Sequence, residues 1–234
     1  MGNNIKKLFT VILALVLSLN AAASADTLIG MVTDISDEGI TLYTDGGIRF
    51  AAAKADTAWE TDDMPAVGDM VTVLFKRSTD GMIHADTIIC HRITGTVSEI
   101  VASEGPYLIL MPDGENEAVR VNLIDIPLRN VAAGLPVTVY YNGIRTRSIP
   151  PQITADYIRG QTFTGTITYI TDSGEIGLLK DDGETILLHI SPDTILATEL
   201  EVGIPVSVSV LPQMRLSIPA QYEAQDIFPA NGMK

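Results

Sequence analysis

Gly30-Met31-Val32-Thr33-Asp34-Ile35, Gly95-Thr96-Val97-Ser98-Glu99-Ile100 and Gly165-Thr166-Ile167-Thr168-Tyr169-Ile170 are one segment written three times. Each opens on a glycine and alternates as a strand does, placing Val32 and Val97 on one side and Thr33 and Ser98 on the other. The alternation carries a conflict. Three residues separate Val32 from Ile35, Val97 from Ile100 and Ile167 from Ile170, so both members of a pair cannot face inward on a regular strand. Either a β-bulge, whose extra residue re-aims the chain, or a strand end lies between each pair; a bend or bulge recurring in all three copies is expected, since closing a small barrel requires sharply coiled strands.

Outward from these segments the rest of the chain falls into the same register. Second strands are expected at Ile40 to Tyr43, Tyr107 to Met111 and Ile176 to Lys180, third strands at Ile48 to Ala51, Ala118 to Leu123 and Thr185 to Ile190. Asp45-Gly46, Asp113-Gly114 and Asp182-Gly183 lie between them as tight turns. Strand four leaves Gly68-Asp69-Met70-Val71, Gly134-Leu135-Pro136-Val137 and Gly203-Ile204-Pro205-Val206. The closing strand carries Ala85-Asp86-Thr87-Ile88, Ala155-Asp156-Tyr157-Ile158 and Ala224-Gln225-Asp226-Ile227. Opening glycines are 65 and 70 residues apart, the glycines before strand four 66 and 69, and the closing alanines 70 and 69.

Five short strands per copy predict an all-β chain of three tandem small five-stranded OB-like barrels, with SH3-like barrels as the alternative. The longer connector after strand three predicts a short helix or 3₁₀ turn plugging the barrel end, with Trp59, Leu128 and Ile195 as plugs. The joins Cys90-His91-Arg92-Ile93 and Arg159-Gly160-Gln161-Thr162 are not flexible linkers, so neighbouring copies should touch and form one rigid array. The expected division is a signal peptide at 1–25 and repeats at 26–91, 92–160 and 161–234.

The pattern Gly-x-Val-x-x-Ile, Asp-Gly turn, Gly before a β-branched strand and closing Ala-x-x-Ile resembles secreted bacterial OB-fold-like domains of unknown function. Gly95-Thr96-Val97, Gly68-Asp69-Met70-Val71-Thr72-Val73 and Ala85-Asp86-Thr87-Ile88 carry the resemblance, which covers most of the chain after residue 25. It implies an envelope ligand or protein binder and transfers no catalytic residues. Pro136 and Pro205 depart from the pattern where the first copy has Asp69-Met70.

Lys6 and Lys7, the apolar run Leu8 to Leu19 and Ala23-Ser24-Ala25 read as a secretory signal peptide cut before Asp26. The expected location is extracytoplasmic, in the periplasm or at the cell surface. Losing the two lysines takes the formal charge from -14 to -16, which argues against nucleic acid, since backbone binding rests on cations. Arg145, Arg147 and Arg159 form a small basic group, read as local ion pairing rather than a polyanion site. Cys90 stands alone, so no intrachain disulfide forms, and its strand-like setting predicts a buried inert thiol.

No motif of a metalloprotease, serine hydrolase or phosphate loop occurs, so no catalytic, cofactor-binding or metal residue is assigned. His84 and Cys90 share a strand but sit about 20 Å apart at ~3.3 Å per residue, His91 points the other way, and His189 reads as a hydrogen-bonded sheet residue. The acidic groups Asp34/Asp37/Glu38, Glu60/Asp62/Asp63 and Asp181/Asp182/Glu184 lack calcium-loop spacing. Of the adjacent Tyr140 and Tyr141 one should be core and the other exposed, while Tyr43, Tyr107 and Tyr157 add aromatic surface. The loops Ser148-Ile149-Pro150-Pro151-Gln152 and Ser217-Ile218-Pro219-Ala220-Gln221 occupy equivalent places and are the candidate recognition edge. The expected function is a non-catalytic extracytoplasmic binding or scaffolding protein, its partner a protein or envelope glycan, with a structural or accessory segment of a surface assembly as the alternative.

Overall fold

The computed structural model describes residues 26–77, 82–124, 126–128, 131–212 and 217–230; the leader, its cleavage site and Asp125 of the second connector lie outside them. In the first copy, β1 (Asp26–Ser36) pairs antiparallel with β2 (Gly39–Thr44) and β4 (Met70–Arg77). β2 continues antiparallel to β3 (Gly47–Thr61), β4 pairs antiparallel with β5 (Ile83–Val101), and β3 runs parallel to β5. The second copy reuses β5, which pairs with β6 (Tyr107–Pro112) and β8 (Pro136–Tyr141); β6 pairs with β7 (Val119–Asn122), and β9 (Gln152–Arg159) lies antiparallel to β8 and parallel to β7. In the third, β10 (Gln161–Ile170) sits between β11 (Glu175–Lys180) and β14 (Pro205–Val210). There β12 (Thr185–His189) pairs with β11, while β15 (Ala220–Pro229) pairs with β14 and runs parallel to both β12 and β13 (Ile195–Leu196).

These pairings correct the expectation of three discrete five-stranded OB-like or SH3-like barrels, and the resemblance to OB-fold-like domains falls with it. The first nine strands form one hydrogen-bonded sheet and the last six another. Cys90-His91-Arg92-Ile93, read as a join, lies in the middle of the 19-residue strand β5, and the boundary drawn between residues 91 and 92 cuts that strand. The fold is a continuous, solenoid-like all-β winding in which each repeat adds parallel bridges to the array, rather than a string of separate barrels. Each winding keeps its own core, around Val32 and Ile88, Val97 and Ile158, and Ile167 and Ile227.

The bulge is present three times. Register slips between Val32 and Asp34, between Val97 and Glu99, and between Ile167 and Tyr169. The skipped residue always bears a hydroxyl, and it donates to the partner strand's carbonyl: Thr33 to Thr41 at 3.3 Å, Ser98 to Ile109 at 3.1 Å, Thr168 to Gly177 at 3.1 Å. The extra residue thus supplies a hydrogen bond where the ladder is interrupted. Ile35, Ile100 and Ile170 are thereby set opposite Ile40, Leu108 and Ile176. They lie near the strand ends, however, and Ile35 and Ile170 remain exposed.

Two glycine positions explain the spacing of the landmarks. A Cβ on Gly95 would lie 2.3 Å from the Met111 carbonyl oxygen, so the opening strand approaches its partner too closely for a side chain. Gly68, Gly134 and Gly203 have φ of 94°, 85° and 92°, left-handed values that disfavour a side chain. Their N–H groups donate to Val32, Val97 and Ile167 at 2.7, 2.7 and 2.8 Å.

The connector corrects a further expectation. In the first copy no plug helix forms; β3 stays extended and Ala58 to Thr61 pair with Thr87 to Cys90. Trp59 and Leu128 pack against their own cores, whereas Ile195 joins Met31 and Phe228 between the first and third copies.

Candidate functional site: the junction of the three copies

The third winding folds back onto the first. Met31 of β1 is packed with Ala197 and Phe228, and Tyr43, Val67, Met70 and Ile195 lie around them. Beside this apolar contact, side chains of the second and third copies and a backbone carbonyl of the first converge on Arg159, at the end of β9. Its Nη1 donates to the Tyr140 hydroxyl at 2.7 Å, its Nη2 to the Gly68 carbonyl oxygen, and its Nε lies 3.4 Å from Asp226 Oδ2. The guanidinium also lies over the Phe228 ring, 4.9 Å from its centre, a stacked position suited to a planar cation.

The network extends both ways. Tyr157 donates to Asp226 Oδ2 at 2.6 Å, and Tyr140 to Asp69 Oδ1 at 3.0 Å. Arg92 Nη1 reaches Asp69 Oδ2 at 2.5 Å, and the same carboxylate oxygen accepts the Ala66 N–H at 2.8 Å. Gln225 clamps the seam between the second and third copies, accepting from the Gly160 N–H and donating to the Ile158 carbonyl. Two arginines thus face two carboxylates: Arg159 pairs with Asp226 in the interior, and half-buried Arg92 balances buried Asp69 from the edge.

The electrostatics follow. Burial pushes the Tyr140 and Tyr157 hydroxyls well above the usual tyrosine range, and the carboxylates they donate to, Asp69 and Asp226, push the same way. Burial alone would lower the Arg159 pKa, but Asp226 and the two tyrosines outweigh it and hold the guanidinium charged. The Cys90 thiol is pushed up to about 11, first by burial and then by Asp69, with Arg92 opposing.

Elsewhere the polar residues have local partners. His91 Nδ1 is 3.3 Å from Asp62, and its ring packs on Tyr141; His189 lies between Glu175 and Gln221. His84 and Cys90 are both on β5, with Cys90 in the first core. The basic group does not assemble: Arg145 pairs with exposed Glu115 at 3.4 Å, while Arg159 is buried in the junction. All three acidic groups are exposed, with Lys180 bridging Asp182 and Glu184. Among the described residues no cluster of three or more His, Cys, Asp or Glu is placed to hold a metal ion. Tyr140 is buried and Tyr141 half-buried; Tyr107 lies under the Arg120 guanidinium.

The two proline loops share one geometry. Ser148 and Ser217 donate to the carbonyls of Pro150 and Pro219, each at 2.8 Å, and Ile149 and Ile218 stand out as the most exposed large apolar residues described.

Neither family profiles nor curated protein sequences match the chain. Among solved structures it is similar to a Cu(II)-bound tryptophan-to-alanine variant of CusF from Escherichia coli, at 22% identity over 30% of this chain and 90% of that one, TM-score 0.25. It is also similar to a multidomain protein with nucleic acid binding domains from Streptococcus pneumoniae (13% identity, 86% and 73% covered, TM-score 0.24) and to Drosophila Unr CSD456 (14%, 89% and 99%, 0.22). Likeness at these TM-scores carries no inference about fold or role.

Proposed function

We propose that the chain is a non-catalytic structural or accessory segment of an extracytoplasmic assembly, a rigid part whose three repeats are locked in one arrangement. The junction carries this reading. Arg159, with hydrogen-bond or ion-pair partners in all three copies, is spent on holding repeats together. Buried charge of this kind gives less net stability than specificity of arrangement, which is what a spacer or scaffold needs. The N-terminal sequence supports export. Fractionation of the native host tests both parts: the mature protein should sediment with a large envelope-associated complex, and Arg159→Met should release it. Recovery as a free extracytoplasmic or cytoplasmic protein would contradict the proposal.

A second reading, a binding module for a protein or glycan, is favoured by the matching loops, whose exposed Ile149 and Ile218 are held by the same serine–proline hydrogen bond. Replacing both isoleucines by serine separates the readings, since it would abolish partner capture by a binding module and leave a spacer in its complex.

A further inference from the structure

Asn142-Gly143 stands at the root of the loop between β8 and β9, and both residues are exposed. The fold demands glycine at the second position twice over. Gly143 has a φ of 82°, in the left-handed region, and a Cβ there would lie 2.6 Å from Cδ2 of the His91 ring on β5. The same imidazole packs on Tyr141, with ring centres 5.7 Å apart, and its Nδ1 is 3.3 Å from Asp62 Oδ2. Asn142 closes the turn: its Oδ1 accepts the Ile144 N–H at 3.0 Å, the local bond that asparagine makes in turns.

The residue that the turn requires is also one that leaves its nitrogen open. Gly143 has no side chain to shield its N–H, and its nitrogen can close a five-membered ring on Cγ of Asn142, its immediate neighbour in the chain. The Ile144 N–H already donates to Oδ1, the oxygen on which negative charge gathers when Cγ is attacked, so the fold supplies a donor where charge develops. Arg145 and Arg147 are the only ionisable side chains between residues 142 and 151, and both are exposed. Positive charge nearby favours the deprotonated nitrogen, although Glu115 engages Arg145 at 3.4 Å. Asn116, Asn122 and Asn130 are followed by Glu117, Leu123 and Val131, whose side chains hinder the same ring, and the other Asn-Gly step after residue 25, Asn231-Gly232, lies outside the described residues.

We propose that Asn142 is a site of spontaneous modification, deamidating through a cyclic imide, and that the isoaspartyl product frees the loop from His91. The Gly143 nitrogen gives its proton to hydroxide or another solvent base and forms a bond to Asn142 Cγ. The Cγ–Nδ2 bond then breaks, and the amide nitrogen takes a proton from solvent and leaves as ammonia. Water adds to one of the two ring carbonyls. Opening on one side yields aspartate at 142; opening on the other yields an isoaspartyl linkage, in which the main chain runs through Cβ and Cγ. That linkage lengthens the main chain between Tyr141 and Gly143 by one carbon and turns the carbonyl that caps Ile144 into a main-chain group. The lengthened chain no longer holds both Tyr141 on the His91 ring and Gly143 against it, so the imidazole is uncovered. Either product carries one more negative charge.

Incubation of untagged residues 26–234 at mildly alkaline pH tests it, followed by peptide mapping with mass spectrometry and labelling by an isoaspartyl methyltransferase. The peptide holding Asn142 should gain one mass unit and accept methyl groups, at a rate that rises with hydroxide concentration, while the peptides holding Asn116, Asn122 and Asn130 stay unchanged. Asn142→Gln, which would have to close a larger ring, should remove the change and keep the native circular dichroism. In the modified fraction, separated by charge and identified by mapping, His91 should acylate faster with diethyl pyrocarbonate than in the unmodified fraction. A native chain that stays unmodified at Asn142 while the urea-unfolded chain converts would show that the fold shields the amide, and would overturn the site; conversion in neither would overturn it as well. Equal acylation of His91 in the two fractions would overturn the release of the loop.

Discussion

The turns before strand four and the junction they border have opposite histories within one chain. Gly68, Gly134 and Gly203 do the same thing three times, with the same left-handed backbone and the same bond to the opening strand. The closing strands do three different things. Aligned on Ile88, Ile158 and Ile227, the preceding position holds Thr87, Tyr157 and Asp226, and the following one Ile89, Arg159 and Phe228. What repeats builds each winding; what differs joins one winding to another, because three surfaces meeting at one centre cannot present the same side chain without clash or unbalanced charge. Phe228 packs on Gly68 and Arg159 pairs with Asp226, so complementarity needed divergence.

The sharpest break of this contrast is Arg159→Met, which keeps most of the side-chain volume and removes the charge. Asp226 is fully buried and its Oδ1 has no hydrogen-bond partner, so only the Tyr157 hydroxyl on Oδ2 would remain to support its charge. Removing one partner of a buried pair costs about 3–5 kcal/mol. Chemical denaturation should show that loss, together with a separate transition for the third copy. Arg159→Met with Asp226→Leu should recover much of it.

A smaller effect separates the two regions more cleanly. Alanine at Gly134 or Gly203 meets nothing within 4 Å and carries only the backbone penalty of its positive φ, about 1–2 kcal/mol. Alanine at Gly68 carries the same penalty and places its Cβ 2.3 Å from the Phe228 ring. Gly68→Ala should therefore be the most destabilising of the three in thermal melts, and Phe228→Leu should narrow the gap. Equal costs at all three glycines would mean that the first and third copies do not pack as described.

The repeated half of this contrast was legible in the sequence, and the divergent half was not. Gly68, Gly134 and Gly203 announce themselves by spacing, and the three-residue step from Val32 to Ile35 pointed to a bend or bulge, which Thr33, Ser98 and Thr168 supply, although Ile35 and Ile170 end up exposed rather than inside. Arg159 was grouped with Arg145 and Arg147 because they lie close in sequence, yet β9 carries it away from the loop and into the junction. Internal comparison cannot find a residue whose role is to differ from its counterparts. Nor could it show that the first two copies share a strand, since Cys90-His91-Arg92 lacks the glycine and proline that mark a break but also lacks an uninterrupted apolar alternation. The missed plug has a similar cause: Asp56-Thr57-Ala58-Trp59 has no strong preference of its own, and pairing with β5 decides its extended form.

Cys90 offers the finest test, because it lies in the first core while its ionisation is governed partly by the junction. Its thiol rises from 9.0 to about 11 through burial and Asp69. An acid whose pKa is raised on folding leaves stability unchanged below the unfolded value and reduces it between the two values, where the unfolded chain has lost the proton and the folded chain still holds it. Stability should therefore decline between about pH 9 and 11, with Cys90 accounting for at most about 2–3 kcal/mol of the fall. Tyr140 and Tyr157, raised in the same sense, add to the decline above pH 10. Cys90→Ala shifts stability by a constant amount from lost packing, so only its pH slope is informative. That slope should be shallower than the native one, and the difference between the two curves should open above pH 9. Native-state alkylation gives an independent reading: Cys90 should stay nearly unreactive at pH 8 and become accessible in Arg159→Met, where loosening the seam lets water toward Asp69 and Arg92. Equal reactivity in the two proteins would place Cys90 wholly within the repeated scaffold and move the boundary of the junction beyond it.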